Sequence, residues 1–345
     1  GNEAMAIGLV TAAQKMGKPL FYGTYPITPA SDILHALAPL RHFDVRTFQA
    51  EDEIAAMGSI IGAAFGGAFA VTGTSGPGVA LKGEAMGLGI MLELPMVIIN
   101  VQRAGPSTGL PTKTEQSDLL QAMYGRNGES PIVVIAPQSP SDCFAIAYEA
   151  ARLAVRATTP VMILSDGFLA NSSEPWRIPN PDDIPAIEVK HPQGRTNGVS
   201  PFLPYKRDPE TGARPWAIPG TVGLEHRLGG LGKAPLTGNV SHDSQHNEQM
   251  YHERRDKIAR LADVIPQQKI VGPASGDLLV LSWGSTFGAV RSGVQKAQRE
   301  GYSVAHAHLR YLNPLPSNLR DLLDQYKQVI VPELNGGQLA FLLRG

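Results

Sequence analysis

Five short apolar runs set among helix-length segments constrain this chain more than any other feature. They are PLFYG (19–23), AFAVTGT (68–74), LPMVIINV (94–101), PIVVIAP (131–137) and TPVMILSD (159–166). None alternates cleanly between apolar and polar residues, so each reads as a strand buried on both faces. Around them lie NEAMAIGLVTAAQKMG, EDEIAAMGSIIGAAFGG, GVALKGEAMGLGIMLE and SPSDCFAIAYEAARLAVRAT. Strands alternating with helices predict a parallel sheet covered by helices on both sides. Ala and Gly crowd the second and third helical segments. Small residues there allow close packing against the sheet or a partner helix, at a cost of roughly 1 kcal/mol per interior Gly.

The pattern changes after residue 170. From NSSEPWRIPNPDD to about residue 240 the chain is rich in Pro, Gly and charge, which reads as a long excursion. An amphipathic helix is expected at NEQMYHERRDKIARLADVI (247–265). A second α/β unit begins at 277, where DLLVLSWGS, YSVAHAHL and KQVIVPE suit a βαβαβ run with right-handed crossovers.

Composition excludes several classes of function. A formal net charge of −1 offers no electrostatic case for nucleic acid or an acidic membrane surface. GIMLELPMVIINV contains Glu93 and Pro95 and is too short to span a bilayer. Without a secretory signal, the cytoplasm is the default expectation. The single cysteine, Cys143, excludes a disulfide framework and any cysteine-ligated cluster held by this chain alone. The chain starts at Gly1 without Met and stops inside the apolar QLAFLLRG, which reads as a fragment of a longer subunit.

Four stretches carry candidate chemistry. In YPITPAS (25–31), Pro26 and Pro29 hold the backbone around Ile27 and Thr28 nearly rigid where a strand hands over to a helix. GTSGPG (73–78), with Ser75 and Gly76, is a Gly-rich turn into a helix. Its glycines fall in the wrong order for a dinucleotide fingerprint, and no Lys-Ser/Thr follows to make a P-loop. It is equally a tight turn or a backbone that a flat ligand or partner approaches closely. QAEDEIAAMG (49–58) puts Glu51, Asp52 and Glu53 at a helix start. Two of them complement the helix dipole, and the third is a candidate buried proton donor or acceptor. Arg103 ends the apolar run MVIINVQR, where a guanidinium fork could clamp a carboxylate or merely cap the strand. Lys113 lies in the hydroxyl-rich loop that follows, which suits a site wall or a lid. Among the histidines, HDSQH (242–246) reads as a solvated loop rather than a metal site, and His306 and His308 as packing or solvent-facing residues. No metal ligand is assigned.

Taken together these residues resemble the α subunit of the 2-oxoacid:ferredoxin oxidoreductases, and most nearly the 2-oxoglutarate type. The segments that carry the resemblance are GNEAMAIG, YPITPASDI, EDEIAAMGSIIGAAFGG, TGTSGPG, ELPMVIINVQRAGPSTGLPTKTEQSDL, LSDGFLANSSEPW, HLRYLNPLP and VPELNGGQL. They span nearly the whole chain, with 190–240 matching least. The resemblance implies an α/β fold with two doubly wound parallel-sheet domains. Residues 1–185 would be the pyrimidine-binding domain of thiamine diphosphate enzymes, 186–266 a linker with its helix, and 267–345 a truncated transketolase C-terminal-like domain. It implies that Glu53 hydrogen-bonds the aminopyrimidine ring and that Thr28 lies by the thiazolium and the substrate. Arg103 would hold the 2-oxoacid carboxylate, Lys113 or equally a partner subunit the second carboxylate of 2-oxoglutarate, while Pro26, Ile27, Ser75 and Gly76 border the cofactor. A glutamate that donates to the ring must be protonated, and desolvation favours that form.

The resemblance also assigns what this chain lacks. Members of the wider thiamine group anchor diphosphate and Mg²⁺ through GDG followed by Asn, and the nearest stretch here is SDGFLAN. A β subunit is therefore expected to hold the diphosphate, Mg²⁺ and a 4Fe–4S cluster, in a heterodimer or a dimer of heterodimers. Coenzyme A would be the co-substrate and ferredoxin the electron acceptor, with a γ-type domain preceding GNEA. The alternatives are a pyruvate, indolepyruvate or broad 2-ketoacid form, and a non-catalytic scaffold subunit.

Overall fold

The structure, a computed structural model, describes residues 1–194 and 201–345. All five apolar runs are strands, labelled here with the others in chain order: β1 Leu20–Thr24, β2 Val45–Gln49, β3 Phe69–Thr74, β4 Met96–Gln102, β5 Val133–Ile135 and β6 Pro160–Asp166. The second half adds β7 Ile270–Val271, β8 Gly276–Trp283, β9 Val304–Leu309, β10 Tyr311–Asn313 and β11 Tyr326–Ile330. Two sheets result, ordered β10-β5-β6-β4-β3-β1-β2 and β11-β8-β9-β7. The first is parallel except for β10, and the second is parallel except for β7.

β3, β4 and β6 are buried at every residue, as continuous apolar runs require. Successive residues of β4 divide between two cores. Val97, Ile99 and Val101 join Leu9, Ile146 and Leu153 under the helices Asn2–Met16 and Asp142–Ala157. Met96 and Ile98 join Met57, Ile60, Met86 and Ile90 from the helices Glu53–Phe65 and Gly83–Leu92. That second core continues into Leu279, Leu281, Trp283 and Leu309 of the second sheet. Gly8 lets the first two helices touch, because a Cβ there would lie 2.5 Å from the Phe144 carbonyl oxygen.

Several local expectations need correcting. GVALKGEAMGLGIMLE forms two helices, Gly76–Leu81 and Gly83–Leu92, with Lys82 at the break between them. HDSQH is no plain loop: Asp243 caps a helix at Ser244–Ala259 by accepting from Gln245 N and His246 N. His306 and His308 both meet the buried Ser282 hydroxyl, each at 2.7 Å. Burial holds both imidazoles well below the ordinary value, His306 at about 4 and His308 at about 3.

The Pro/Gly-rich excursion is pinned to helix ends. Arg214 donates to Leu92 O at 2.9 Å and Lys233 to Met91 O at 3.2 Å, both at the C-terminus of Gly83–Leu92. Trp216 Nε1 donates to Ala64 O at 2.9 Å near the end of Glu53–Phe65. Terminal carbonyls without intrahelical partners and the negative pole of the helix both favour such donors. Next to them Glu93, fully buried, takes a bidentate grip from Arg207, with both oxygens at 2.7 Å, and an ion pair from Lys257.

Candidate active site

In the first sheet the chain steps from β1 to β2 on one side and then returns to β3 on the other. The strand order therefore reverses between β1 and β3, and a crevice opens beyond their carboxyl ends. Three of the expected site segments leave from this edge: YPITPAS after β1, EDEIAAMG after β2 and SGPG after β3.

The turn after β1 is held at three successive carbonyls. Ser31 Oγ donates to Ile27 O at 3.1 Å, Arg103 Nη1 to Thr28 O at 2.5 Å and Asn2 Nδ2 to Pro29 O at 2.9 Å. Thr28 itself is exposed, with its hydroxyl unengaged among the described residues. It lines a cavity of about 330 Å³ with Ser31, Asp32, Thr112, Gly167 and Asn171. Pro26 is exposed and Ile27 half-buried on the same turn. Arg103 is 6% exposed and its Nε has no hydrogen-bond partner. Lys113 is exposed at the base of the following loop, where its carbonyl accepts from Ala104 N at 2.9 Å.

The acidic helix start divides its labour. Asp52 is the cap, its carboxylate accepting from Ala55 N at 2.8 Å, and Glu51 is exposed. Glu53 is half-buried and faces the turn after β3. A Cβ on Gly78 would lie 2.0 Å from Tyr25 Oη, 2.1 Å from Thr74 Oγ1 and 3.2 Å from Glu53 Cγ. Tyr25 Oη and Thr74 Oγ1 are themselves hydrogen-bonded at 2.8 Å. Tyr25 feels the charges of both Glu53 and Arg103, and Arg103 in turn holds the Thr28 carbonyl.

Around these expected residues stand others that sequence reasoning did not single out. Asp118 lies against Gly76, where a Cβ would come 2.9 Å from its Oδ2, and it accepts from Asn100 Nδ2 at 2.9 Å. Burial pushes the Asp118 carboxyl up from its ordinary value, with Asn100 opposing. Lys82 is fully buried beside Glu53. The spacing of TEQSD gave no cue to Asp118, whose backbone N donates to Gln102 Oε1 at 3.1 Å while the second unit grips the two residues before it. Gln116 donates to Trp283 O at 2.9 Å, and Asn335 and Gln338 donate to Gln116 O and Ser117 O, each at 2.7 Å. SDGFLAN is also explained locally: Asp166 caps the helix Gly167–Asn171 by accepting from Phe168 N and Leu169 N at 3.0 Å.

The half-site suits a flat heteroaromatic ring. Ser75 Oγ is buried without a partner and Glu53 offers a carboxyl at the rim, while Gly76 and Gly78 let the turn pack closely against Asp118, Tyr25 and Thr74. Among the described residues there is no group of three or more His, Cys, Asp or Glu that could hold a metal ion.

Known proteins supply the context. A family model described as "Pyruvate flavodoxin/ferredoxin oxidoreductase, thiamine diP-bdg" matches residues 12–233. The chain belongs to this thiamine diphosphate-binding family of 2-oxoacid oxidoreductases. It is 55% identical to the 2-oxoglutarate oxidoreductase subunit KorA of Mycobacterium tuberculosis, over 100% of this chain and 52% of that one. The 2-oxoglutarate synthase subunit KorA of Archaeoglobus fulgidus is 35% identical, over 98% of this chain and 88% of its own length. The chain thus spans about half the length of the first relative and most of the second. The structure of the 2-oxoglutarate:ferredoxin oxidoreductase of Magnetococcus marinus, with 2-oxoglutarate, coenzyme A and succinyl-CoA bound, superposes with a TM-score of 0.92 at 35% identity. That match covers 100% of this chain and 59% of the solved one. A split-gene transketolase shares the fold alone, at a TM-score of 0.54 and 14% identity.

Proposed function

We propose that this chain is the α-type subunit of an oxidoreductase that decarboxylates 2-oxoglutarate, forms succinyl-CoA with coenzyme A, and passes the electrons to ferredoxin. The observation that carries this reading is that Glu53 and Arg103 both face Tyr25, with Arg103 holding the Thr28 turn, at the switch point of a thiamine diphosphate-family sheet. An inert scaffold would not need all three. Thiamine diphosphate supplies, when bound, the acidic ring carbon and the electron sink that decarboxylation of a 2-oxoacid requires.

The chain's own residues would divide the remaining work. Glu53 would hydrogen-bond the aminopyrimidine ring, with Ser75 and Gly76 bordering that ring from the turn after β3. Pro26 and Ile27 border it from the β1 turn. The Thr28 hydroxyl, fixed by three anchored carbonyls, orients the 2-oxo group. Arg103 anchors Thr28 through Nη1 and keeps a free donor for the first carboxylate. Lys113 answers the second carboxylate from the loop above. A partner β subunit would hold the diphosphate, Mg²⁺ and a 4Fe–4S cluster, in a cytoplasmic heterodimer or dimer of heterodimers. Residues 1–185, 186–266 and 267–345 would serve as pyrimidine-binding domain, linker and transketolase-like domain.

The family description names pyruvate, which keeps pyruvate as a second substrate reading. Turnover of the assembled complex with 2-oxoglutarate, pyruvate and indolepyruvate, with ferredoxin or a viologen as acceptor, decides between them. Normal turnover by an intact Glu53→Gln complex would overturn the catalytic reading.

A further inference from the structure

Lys82 is a fully buried cation of the half-site to which the reading above gives no task. Its Nζ donates to the Glu53 carbonyl oxygen at 2.8 Å and lies 4.5 Å from the centroid of the Tyr25 ring. The side chain is 0% exposed, and none of the ion pairs among the described residues includes it. A buried ammonium without a carboxylate costs stability, and an apolar side chain of similar length would fill the same space without that cost. What distinguishes lysine from such a side chain is its charged donor. Here the donor is spent on the first residue of the helix Glu53–Phe65 and on the aromatic residue that opens YPITPAS. Tyr25 in turn bonds Thr74, and Gly78 packs against both hydroxyls and Glu53 Cγ. Lys82 therefore joins the elements that leave β1, β2 and β3 at a single point.

We propose that Lys82 is a positioning residue for Glu53, a charged tether that fixes where the Glu53 carboxyl meets the aminopyrimidine ring. The proposal rests on the thiamine diphosphate reading of this site. The groups that face the ammonium are Glu53 and Asp52 from the helix start and the Tyr25 ring from the β1 turn, with Arg103 beyond Tyr25. Burial lowers the ammonium to about 8, outweighing the opposing pull of Glu53 and Asp52. The tether is therefore charged at neutral pH and loses its charge as pH rises through that value. Cofactor binding should weaken over the same interval.

The test uses the complete complex and measures the thiamine diphosphate dissociation constant by calorimetry from pH about 7 to about 9.5, together with melting of the cofactor-free complex. In the wild type, affinity falls as pH rises past about 8. Lys82→Met is expected to bind about tenfold more weakly at neutral pH, the loss of one charge-assisted hydrogen bond. Its affinity should be flat across the alkaline range, and its cofactor-free complex should melt no lower than the wild type. Lys82→Arg does not titrate in this range and should also lack the alkaline limb, so it carries the test if the methionine variant fails to assemble. Wild-type affinity and pH dependence in Lys82→Met would overturn the proposal. So would an alkaline limb that persists in Lys82→Arg. Glu53→Gln separates the two claims. If it binds and turns over normally the site reading fails, whereas if it is impaired while Lys82→Met is not, only the tether fails.

Discussion

Two lysines, Lys82 and Lys257, are buried to a similar degree at opposite ends of one helix, and their surroundings differ in kind. Lys257, at the carboxyl end of Gly83–Leu92, faces the Glu93 carboxylate and donates to Thr158 O at 3.1 Å. Lys82, at the amino end, donates to a backbone carbonyl and lies on an aromatic face, with no ion pair among the described residues. The first belongs to a neutralised lock in which Arg207 also grips Glu93 and Glu253. The second is a cation held short of neutralisation, at the edge where three site segments converge. One end of the helix secures the excursion to the sheet, while the other sacrifices stability for a donor beside Glu53.

The contrast is broken most severely at the lock. Glu93→Ala leaves Lys257 buried without a carboxylate and Arg207 with Glu253 alone, and is expected to cost about 3–5 kcal/mol, read as a lowered denaturation midpoint. The pH dependence follows the same residue. Burial alone would raise the Glu93 carboxyl, but Lys257 and Arg207 more than reverse this and hold it far below the ordinary carboxylate range. A carboxyl depressed on folding stabilises above its unfolded pKa and loses that contribution as pH falls below it. Glu93→Gln should therefore flatten the acid limb of a stability–pH profile below pH about 4.5.

At the other end the loss should appear in function instead. Glu53→Gln is expected to cut cofactor-dependent turnover about 100-fold, equivalent to about 2.7 kcal/mol of barrier, while the melting temperature stays put. Gly78→Ala mixes the two behaviours. Its Cβ would sit 2.0 Å from Tyr25 Oη and 2.1 Å from Thr74 Oγ1, so that hydrogen bond must part, at about 1–3 kcal/mol of stability. Weakened cofactor binding should accompany it. The smallest effect is expected at Trp216→Phe, which removes one donor from Ala64 O and should cost about 1 kcal/mol in chemical denaturation without touching turnover.

The second sheet adds a further contrast, between residues that bear chemistry and residues that place it. Glu333 caps the helix Gln338–Arg344 region by accepting from Leu339 N and Ala340 N, and Trp283 Nε1 donates to the same carboxylate. Asn335 and Gln338 then reach back to Gln116 and Ser117. The motif VPELNGGQL thus holds the TEQSD segment, and with it Asp118, against the turn after β3.

Much of the fold could be read from local pattern, because runs such as MVIINVQ and PVMILSD are apolar enough to leave little choice but burial on both faces. β2 escaped notice because VRTFQ is an edge strand with only its first residue buried. β10 escaped because three residues paired antiparallel with β5 leave no periodicity. Thr28, Glu53 and Arg103 were visible as residue types at strand ends. Lys82 looked like an ordinary polar residue in a helical run.

The amino-acid order alone determined the parallel sheet, the rigid turn at YPITPAS and the acidic start of the helix after β2. These follow from side-chain hydrophobicity and backbone restriction within a few residues. Only the tertiary structure decided which charges are buried and what they face. That depends on partners far away in the chain, such as Glu93 with Arg207 and Lys257. Desolvation sets what each buried charge costs, and sequence-distant neighbours set whether that cost is offset.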